Sequence, residues 1–340
     1  MKVIHVVKRF GPVGGMERYV FKLCEALALQ GVRVRVVCEK AHESLENVEI
    51  VELGETRPKP RWVSMLRFSH RVTRYLDKLS QTELDWIVHS HERCARHQVT
   101  TFHGPPMAPI KQRKKRWWIS PRLLTWLWLE NRELTRRGVK VLPNSEVIRS
   151  QLVECYPSAE FGITAWPAVD GPLPRCAEPK SDLVFAGHEY VRKGLPELIH
   201  AIEESKQQWT LSIVGAKQDA AFLNLIEDKP WIHNQPWVEE FNPSEWGRVL
   251  VHPAKSEPYG MVVAEARAAG IPAIVSEVTG AASHEALGCC VLPRGWQSPD
   301  LTSFIENAFD RADIESPQWT WQELARLSIA TYETYMAGSR

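Results

Sequence analysis

The feature that most constrains the fold is a repeated alternation of short apolar runs with segments of helical periodicity. Residues 2–7 (KVIHVV) form an apolar run, a Gly-containing turn follows at 11–15, and apolar residues recur at helical spacing over 18–29. Gly31 ends that segment, and VRVRVVC at 32–38 alternates as a second strand. Because strand, helix and strand in this order form the opening unit of a parallel sheet, the sequence predicts an α/β fold.

The same alternation returns along the rest of the chain. Further apolar runs typical of strands lie at 85–91, 98–104, 140–145, 182–187, 210–215, 248–253, 272–277 and 289–293. Helical periodicity appears at 196–205, 261–269 and 321–336. Between the two halves, AWPAVDGPLPRCAEPK is rich in Pro and has no clear periodicity, which is typical of a linker.

A chain of 340 residues is long enough for two domains. We expect an N-terminal Rossmann-like domain over 1–168, a linker over 169–181 and a C-terminal Rossmann-like domain over 182–316. The remaining segment, 317–340, is expected to form a helix that returns to the N-terminal domain.

The composition, 44% hydrophobic and 24% charged, is that of a soluble globular protein. No run of about 18 apolar residues occurs, so no membrane span is expected. Charge returns at Lys8 and Arg9, which favours a first strand over a signal peptide. The seven cysteines form no C-x-x-C pair, and Cys24, Cys38 and Cys289–Cys290 lie in apolar surroundings. Reduced core thiols and a cytoplasmic location are therefore expected.

Gly14-Gly15 follows the first strand and opens a helix. Glycines at this place let backbone N–H groups approach a diphosphate at the helix N-terminus. Glu39 ends the second strand, roughly 20 residues on, where dinucleotide-binding folds place a ribose-binding acid. A nicotinamide-dependent oxidoreductase is therefore one alternative, although G-x-x-G-G is not the usual glycine spacing. A tight turn without any ligand is another.

Two carboxylates stand eight residues apart in SEPYGMVVAEA at 256–266. A helix is expected to begin near Gly260, and its first N–H groups, with that of Met261 among them, can hold phosphate. Glu257 lies in the preceding loop and can accept hydrogen bonds from sugar hydroxyls. Glu265 lies on the helix and can accept hydrogen bonds from both ribose hydroxyls. The structural alternative is a helix carboxylate satisfied by a protein partner.

Gly187 directly follows the strand DLVFAG, and Arg192-Lys193 come five residues later. Cations at the carboxyl end of a parallel strand face the crevice where ligands bind, so this pair can neutralise two phosphates. A solvated charge pair at a helix start is the alternative.

His103 ends the strand QVTTF and lies at the same edge of the first predicted sheet. It can hydrogen-bond a transferred sugar, and a purely structural histidine is an equal alternative. The run HSHER at 89–93 offers His91 and Glu92 at a neighbouring strand end.

Together these motifs resemble the retaining GT-B glycosyltransferase family 4, also called glycosyl transferases group 1. The resemblance spans essentially the whole chain and includes N-S at 144–145 and P-x-V-D at 167–170; its most specific element is the E-x₇-E pattern. It implies two Rossmann-like domains that face each other across a cleft, with acceptor binding in the first and nucleotide-sugar binding in the second.

The same resemblance assigns roles to individual residues. Catalytic roles fall on His103, Glu257, Arg192 and Lys193. Donor binding falls on Gly14, Gly15, Gly187, Arg192, Lys193, Tyr259, Gly260, Met261 and Glu265. Glu257 would contact the donor sugar, Glu265 the ribose, and the Arg-Lys pair the diphosphate.

The resemblance also implies that the anomeric configuration is retained. No D-x-D triplet occurs, so no metal is expected, and no cofactor beyond the nucleoside-diphosphate sugar as co-substrate. Preorganised cations and helix N-termini would meet the diphosphate charge. No side chain stands out as a covalent nucleophile, which favours same-face substitution with the leaving phosphate accepting the acceptor's proton. A non-catalytic sugar-nucleotide-binding protein remains an alternative from a different class.

The net charge of +1 hides an asymmetry between the halves. Residues 1–170 hold 28 Lys and Arg against 18 Asp and Glu, whereas 171–340 hold 14 against 23. Two stretches supply much of the positive charge: a basic helical stripe within 61–78, and KQRKKRWWISPRLLTWLWL at 111–129. Basic residues beside Trp suit an anionic membrane interface, whereas a solvated basic helix with core Trp is the structural alternative.

We therefore expect peripheral attachment to the inner membrane face and a lipid-linked or phosphorylated glycan acceptor, such as a lipopolysaccharide core. A basic-aromatic stretch can also bind single-stranded nucleic acid, but the donor-site motifs argue against a nucleic-acid partner.

Overall fold

The computed structural model describes residues 1–83, 85–205, 207–238, 240–310 and 319–338, which form two compact units. The first comprises the described residues of 1–167 and those from Trp321 onward, and the second the described residues of 168–320. The expected boundary between 316 and 317 lies outside the described residues. The segment 169–181, which is expected to be a linker, packs on the second unit: Leu173 N donates to Ala268 O, and Cys176 N donates to Ser244 Oγ.

The first unit is built on a parallel sheet. Its strands are β1 (Lys2–Val6), β2 (Arg9–Phe10), β3 (Arg33–Cys38), β4 (Lys40–Ala41), β5 (Val48–Glu52), β6 (Trp86–Ser90), β7 (Val99–Phe102), β8 (Lys140–Pro143) and β9 (Glu160–Phe161). Seven of them pair in the order β5-β3-β1-β6-β7-β8-β9, while β2 pairs separately with β4. β1 and β7 are buried almost throughout, as strands covered on both faces must be.

Helices cover this sheet. They are α1 (Gly15–Leu29), α2 (Arg61–Leu79), α3 (Ile110–Arg113), α4 (Pro121–Leu134) and α5 (Glu146–Cys155), with a 3₁₀ turn at Trp117–Ile119. α2 packs Met65, Phe68, Val72 and Leu76 into a core shared with β1 and β6. Its basic side chains therefore lie on the opposite face, as the sequence pattern predicts.

The second unit repeats the design. Its strands are β10 (Leu183–Ala186), β11 (Leu211–Val214), β12 (Ile232–Gln235), β13 (Val249–His252), β14 (Ala273–Ser276) and β15 (Cys290–Leu292), in the parallel order β12-β11-β10-β13-β14-β15. Its helices are α6 (Leu195–Ser205), α7 (Ala220–Ile226), α8 (Pro243–Trp246), α9 (Met261–Ala268) and α10 (Ser298–Phe309), with 3₁₀ turns at Gly280–Ser283 and Glu285–Leu287.

The last helix, α11 (Trp321–Gly338), packs on the first unit. Gln30 Nε2 donates to Gln322 O at 2.9 Å, and the Trp321 ring meets the Tyr19 ring edge-on at 5.6 Å. The hydroxyl of Tyr332 lies 2.6 Å from His89 Nδ1. The C-terminal segment thus completes the core of the N-terminal unit.

In both sheets the order in which successive strands are added reverses at one point. The chain builds outward from β1 through β3 to β5 and then returns to β6, and it builds from β10 through β11 to β12 and then returns to β13. The carboxyl ends of the strands on either side of such a reversal diverge and leave a crevice for ligands. The loops after β1 and β6, and those after β10 and β13, are therefore where functional side chains are expected.

All seven cysteines are free thiols. Cys24 and Cys38 are fully buried as expected, but Cys289 and Cys290 are only partly buried, so the core position expected for that pair is wrong. Among the described residues, no helix has both the length and the apolar character needed to cross a bilayer.

Candidate functional site

Glu257 is the centre of a charged cluster at the reversal point of the second sheet. Its Oε2 lies 3.3 Å from Arg192 Nη1, 3.6 Å from Lys193 Nζ and 3.5 Å from His252 Nε2. His252 is the last residue of β13, while the cationic pair follows β10. The two strands are hydrogen-bonded neighbours, which is why loops 65 residues apart in sequence meet here.

The cluster keeps Glu257 ionised. Burial raises its pKa, but the contact with His252 and the charges of Lys193 and Arg192 outweigh that effect and lower the pKa to about 2. Burial lowers the pKa of His252, and its contact with Glu257 only partly opposes this. The arrangement is therefore a carboxylate held between two cations and a buried imidazole.

Arg192 bridges two acids. It contacts Glu189 at 2.9 Å as well as Glu257, and it also donates to the carbonyl of Ser256. The Arg192 side chain is one-third exposed, whereas that of Lys193 is 16% exposed. An anion at this point would find cations already oriented by carboxylates, without further side-chain ordering.

Gly187 brings the backbone close to Lys193. Its φ is +135°, and a Cβ at this position would lie 2.7 Å from Lys193 Cδ and Cε. A larger residue would displace the flexible end of the Lys193 side chain, and a φ of +135° is strained for any residue other than glycine. The glycine at the strand end therefore leaves room for the lysine amine beside Glu257.

Gly260 caps α9 in the left-handed conformation, with φ of +95°. The helix begins at Met261, so the N–H groups of its first turn lie at the end of the loop that holds Glu257. Val263 N donates to Gly260 O at 2.9 Å, and the N–H groups of Met261 and Val262 have no acceptor four residues back within the helix. Glu265 lies one turn further along and is partly buried. This matches the predicted loop-to-helix junction, with one carboxylate on each side.

Tyr259 differs from the other predicted donor residues. It is 3% exposed, and its hydroxyl lies 3.0 Å from His284 Nδ1. Its backbone carbonyl accepts from Ala281 N at 2.9 Å. The side chain thus anchors the loop in the core of the second unit, and its position favours support of the loop over side-chain contact with a ligand.

In the first unit, His103 follows β7 and contacts a group of buried histidines. Its Nε2 lies 3.0 Å from His91 Nδ1, and its ring meets the Tyr19 ring edge-on at 4.8 Å. Asn144 Nδ2 donates to the backbone carbonyl of His103 at 3.3 Å. Burial lowers the pKa of His103 to about 3, so the ring is neutral at physiological pH.

Gly14 and Gly15 lie at the start of α1. Gly14 is the N-cap in extended conformation, and a Cβ there would lie 2.5 Å from Glu17 Oε2. Nothing lies within 4 Å of a Cβ built on Gly15. Glu17 is held by Arg9, whose Nε donates to Oε1 at 3.0 Å. A ligand can therefore approach the backbone closely at Gly15. The nearby carboxylate of Glu17 would repel an anionic ligand there.

Glu39, the acid on which the dinucleotide alternative depends, is occupied within the protein. Its carboxylate accepts from Thr56 Oγ1 at 2.6 Å and lies 3.6 Å from Lys8 Nζ. The residue is only 6% exposed. This arrangement does not favour a ribose-binding role for Glu39.

Sequence reasoning missed His252, and it missed His5 and Tyr332 beside the histidine group. His252 precedes the E-x₇-E run by only a few residues and is the polar end of the apolar run RVLVH, a pattern that indicates a functional residue at a strand end. His5 sits in the apolar run KVIHVV, where nothing in the sequence separates a core histidine from a functional one.

The sequence matches two family models that together cover most of the chain. Residues 13–168 match the model described as Glycosyltransferase Family 4, and residues 180–307 match the model described as Glycosyl transferases group 1. The chain belongs to this glycosyltransferase family. The family recognised from the motifs is confirmed, and the protein is a glycosyltransferase of the group that uses nucleotide sugars.

Solved glycosyltransferases share the fold at low identity. WaaG, involved in lipopolysaccharide biosynthesis, has a TM-score of 0.72 and 19% identity, covering 98% of this chain and 96% of that one. Sucrose-phosphate synthase from Thermosynechococcus elongatus has a TM-score of 0.73 and 16% identity, covering 99% of each chain. Anabaena HepE, solved with UDP-glucose, has a TM-score of 0.68 and 14% identity, covering 98% and 100%. The predicted GT-B class of α/β fold is confirmed.

A curated relative, the D-inositol 3-phosphate glycosyltransferase of Xylanimonas cellulosilytica, is 29% identical over 125 residues. The match covers 33% of this chain and 27% of that protein, so the chain aligns with about a quarter of the relative's length.

Proposed function

We propose that this protein transfers a sugar from a nucleoside-diphosphate sugar to a glycan or lipid-linked acceptor in cell-envelope polysaccharide biosynthesis, such as a lipopolysaccharide core. The transfer retains the anomeric configuration and needs no metal ion. The observation that carries this proposal is the cluster of Arg192, Lys193, Glu257 and His252 at the reversal point of the second sheet. The similarity to HepE, which was solved with UDP-glucose, supports the choice of donor class. The similarity to WaaG, which is involved in lipopolysaccharide biosynthesis, supports the choice of pathway.

The donor diphosphate is proposed to bind between the Arg192–Lys193 pair and the N-terminus of α9. Both elements lie at the carboxyl ends of adjacent strands, and both present positive charge. Glu257 is ionised and faces the same loop, so it can accept hydrogen bonds from the transferred sugar. Glu265, one turn into α9, is placed to accept from the ribose.

Catalysis would then be electrostatic. As the bond between sugar and phosphate breaks, negative charge grows on the leaving diphosphate, and cations that are already oriented stabilise it without reorganisation. The leaving phosphate takes the proton of the acceptor hydroxyl on the same face of the sugar, which retains configuration. His103 is proposed to hydrogen-bond the sugar.

Transfer from UDP-, GDP- and ADP-sugars tests the proposal. A donor that binds should raise the melting temperature, because a ligand that binds only the folded state stabilises it. The same donor should support transfer. Lys193→Ala and Glu257→Ala should each lower kcat/KM by about 100-fold or more, as expected for loss of a preorganised charge. Lys229→Ala is the matched control. Lys229 also forms an ion pair with a glutamate, Glu203, but it precedes the edge strand β12 and does not belong to the loop of Glu257. Folded variants with near-normal transfer would refute the site.

The acceptor side is proposed to lie against an anionic membrane on the inner face. Trp118, Ile119, Leu124 and Trp128 are 57%, 62%, 43% and 52% exposed, and the five basic side chains of 111–116 are exposed beside them. Exposed apolar residues next to cations are typical of an interfacial segment. In 61–78, by contrast, the apolar face is buried in the core, so that helix offers charge alone.

Co-sedimentation with vesicles tests this surface. Binding should require anionic lipid, weaken with salt, and fall in the double variant Trp118→Ser/Trp128→Ser. Trp237→Ser is the control, because Trp237 is 76% exposed but lies outside the basic stretch. Binding that ignores both lipid charge and salt would refute the membrane proposal and leave the donor proposal intact.

A further inference from the structure

Four histidines converge at the carboxyl ends of three neighbouring strands in the first unit. His5 lies on β1, His89 on β6, His91 one residue beyond β6, and His103 one residue beyond β7. The first three are at most 4% exposed, whereas His103 is partly accessible. The group therefore runs from the core of the sheet to its surface.

Three of these rings form one hydrogen-bonded chain. His5 Nδ1 lies 3.0 Å from His91 Nε2, and His91 Nδ1 lies 3.0 Å from His103 Nε2. His91 thus uses both of its nitrogens within the chain. His89 stacks on His91 at 4.5 Å but bonds elsewhere, through Nδ1 to Tyr332 and through Nε2 to Thr101.

The rings of this chain are neutral. Burial lowers the pKa of His5 and of His103 to about 3, and burial together with the neighbouring histidines lowers that of His91 well below its usual value. A neutral imidazole has one N–H donor and one acceptor nitrogen. Each bond of the chain joins an Nδ1 to an Nε2, so a ring that donates from Nδ1 makes the next ring accept on Nε2 and carry its own proton on Nδ1. The chain therefore has two states: all three rings protonated on Nδ1, or all three on Nε2.

The inner end of the chain selects between these states. His5 Nε2 is buried and has no hydrogen-bond partner among the described residues. Protonation on Nε2 would bury an N–H group without an acceptor, which native structures rarely contain. Protonation on Nδ1 leaves only a lone pair there, and at the outer end it gives His103 a free Nδ1–H.

We propose that His5 and His91 are positioning residues that hold His103 as its Nδ1–H tautomer, so that His103 donates a hydrogen bond from Nδ1 to an oxygen of the transferred sugar. The ligand contact rests on the proposed function, whereas the tautomer is a property of the protein alone. The nitrogen that a histidine uses toward its ligand is set by the bond that its other nitrogen makes, and His91 makes that bond.

A metal ion is the competing occupant of this group. Nitrogens of His5, His89 and His91 lie within 4.8 Å of one another. However, both nitrogens of His89 and both of His91 already have hydrogen-bond partners, and an ion would have to break the bonds to Tyr332 and Thr101. The four nitrogens of His89 and His91 are therefore already satisfied by hydrogen bonds within the protein.

Nitrogen NMR of the full chain, labelled with ¹⁵N-histidine, tests the tautomers directly. His5, His91 and His103 should each show a protonated Nδ1 and an unprotonated Nε2 from pH 6 to 8, with assignments from single substitutions. A His103 that carries its proton on Nε2, or that is charged at pH 7, would overturn the proposal. So would spectra that shift on addition of Zn²⁺ and return on chelation.

Substitution of His91 tests the coupling. His91→Leu removes the donor to His103, so the His103 signal should move toward the Nε2–H form and kcat should fall about 10-fold, less than for loss of a direct donor. His91→Asn places an amide near the position of Nδ1 and should restore most of both readouts. His97→Gln is the control: it changes a buried histidine outside the chain, whose Nε2 lies 3.0 Å from Glu133 O.

Two outcomes separate this inference from the proposed function. If Glu257→Ala abolishes transfer while His91→Leu keeps the wild-type rate and the wild-type His103 tautomer, the positioning role alone fails. If the tautomers are as proposed but no nucleoside-diphosphate sugar supports transfer, the proposed function and the sugar contact fail together. His5→Leu, which should also release the His103 tautomer, provides the test should His91→Leu not fold.

Discussion

The two units use opposite means to hold polar groups at the same place in their sheets. In the second unit, Glu257 stays charged because Arg192 and Lys193 face it. In the first unit, His5, His91 and His103 stay neutral because they are buried and bonded to one another. The end of a strand can therefore supply either a fixed charge or a fixed direction of hydrogen bonding, according to the residues that surround it.

The largest expected difference is in acid stability. Histidines whose folded pKa is lowered contribute stability that is present above about pH 6.5 and is lost as pH falls, at about 1.4 kcal/mol per unit for each group. In the first unit these residues are His5, His89, His91, His97 and His103, and in the second unit they are His252 and His284. Glu257, with a pKa of about 2, keeps its contribution until pH falls below about 4.5.

Two acids in the first unit oppose the histidines. Burial raises the pKa of Glu92 and of Glu133 to about 7, so their protonation favours the folded state as pH falls from 7 to 4.5. Five histidines against two acids leave a net of three destabilising groups in the first unit, compared with the two histidines of the second unit, at about 1.4 kcal/mol per pH unit for each group. Hydrogen exchange, corrected for intrinsic rates, should therefore show β1 and β6 losing protection at a higher pH than β10 and β13. Equal loss of protection in both units would refute the expected difference in acid stability.

The next largest effect concerns the charged cluster. Gly187→Ala should lower kcat/KM by about 100-fold, because the new Cβ overlaps the Lys193 stem and displaces its amine from Glu257. Gly171→Ala is the matched control, since Gly171 lies in the same unit and has a similar φ of +125° but nothing within 4 Å of its Cβ position. Transfer rates measured on folded protein decide the matter: similar losses in both variants would mean that backbone strain, not lysine placement, sets the rate.

The smallest effect belongs to the start of α1. Gly15→Ala has room for its methyl group, so the melting temperature should change little. If a diphosphate approaches the backbone at Gly15, the methyl group should raise the KM for the donor several-fold while kcat changes less. An unchanged KM would mean that the donor is bound by the residues of the second unit without this glycine.

Local patterns in the sequence predict most of the parallel strands, the family, and the residues of the Arg192–Lys193 and Glu257–Glu265 motifs. They do not predict the strands β5, β9 and β12. The predicted features follow from neighbours in sequence: alternation marks strands, and a glycine before an apolar helix marks its start. Helix α1 and the junction at Gly260 were therefore predictable almost to the residue.

Which of these side chains meet depends on the tertiary structure. His252 joins Glu257 and Lys193 because β10 and β13 are adjacent, and Tyr332 reaches His89 because α11 returns to the first unit. The surroundings that lower the pKa of His103, and the buried position of Tyr259 beside His284, also depend on residues distant in sequence. Sequence patterns specify the residue types at each strand end, but charge state and hydrogen-bond direction depend on the distances between those ends.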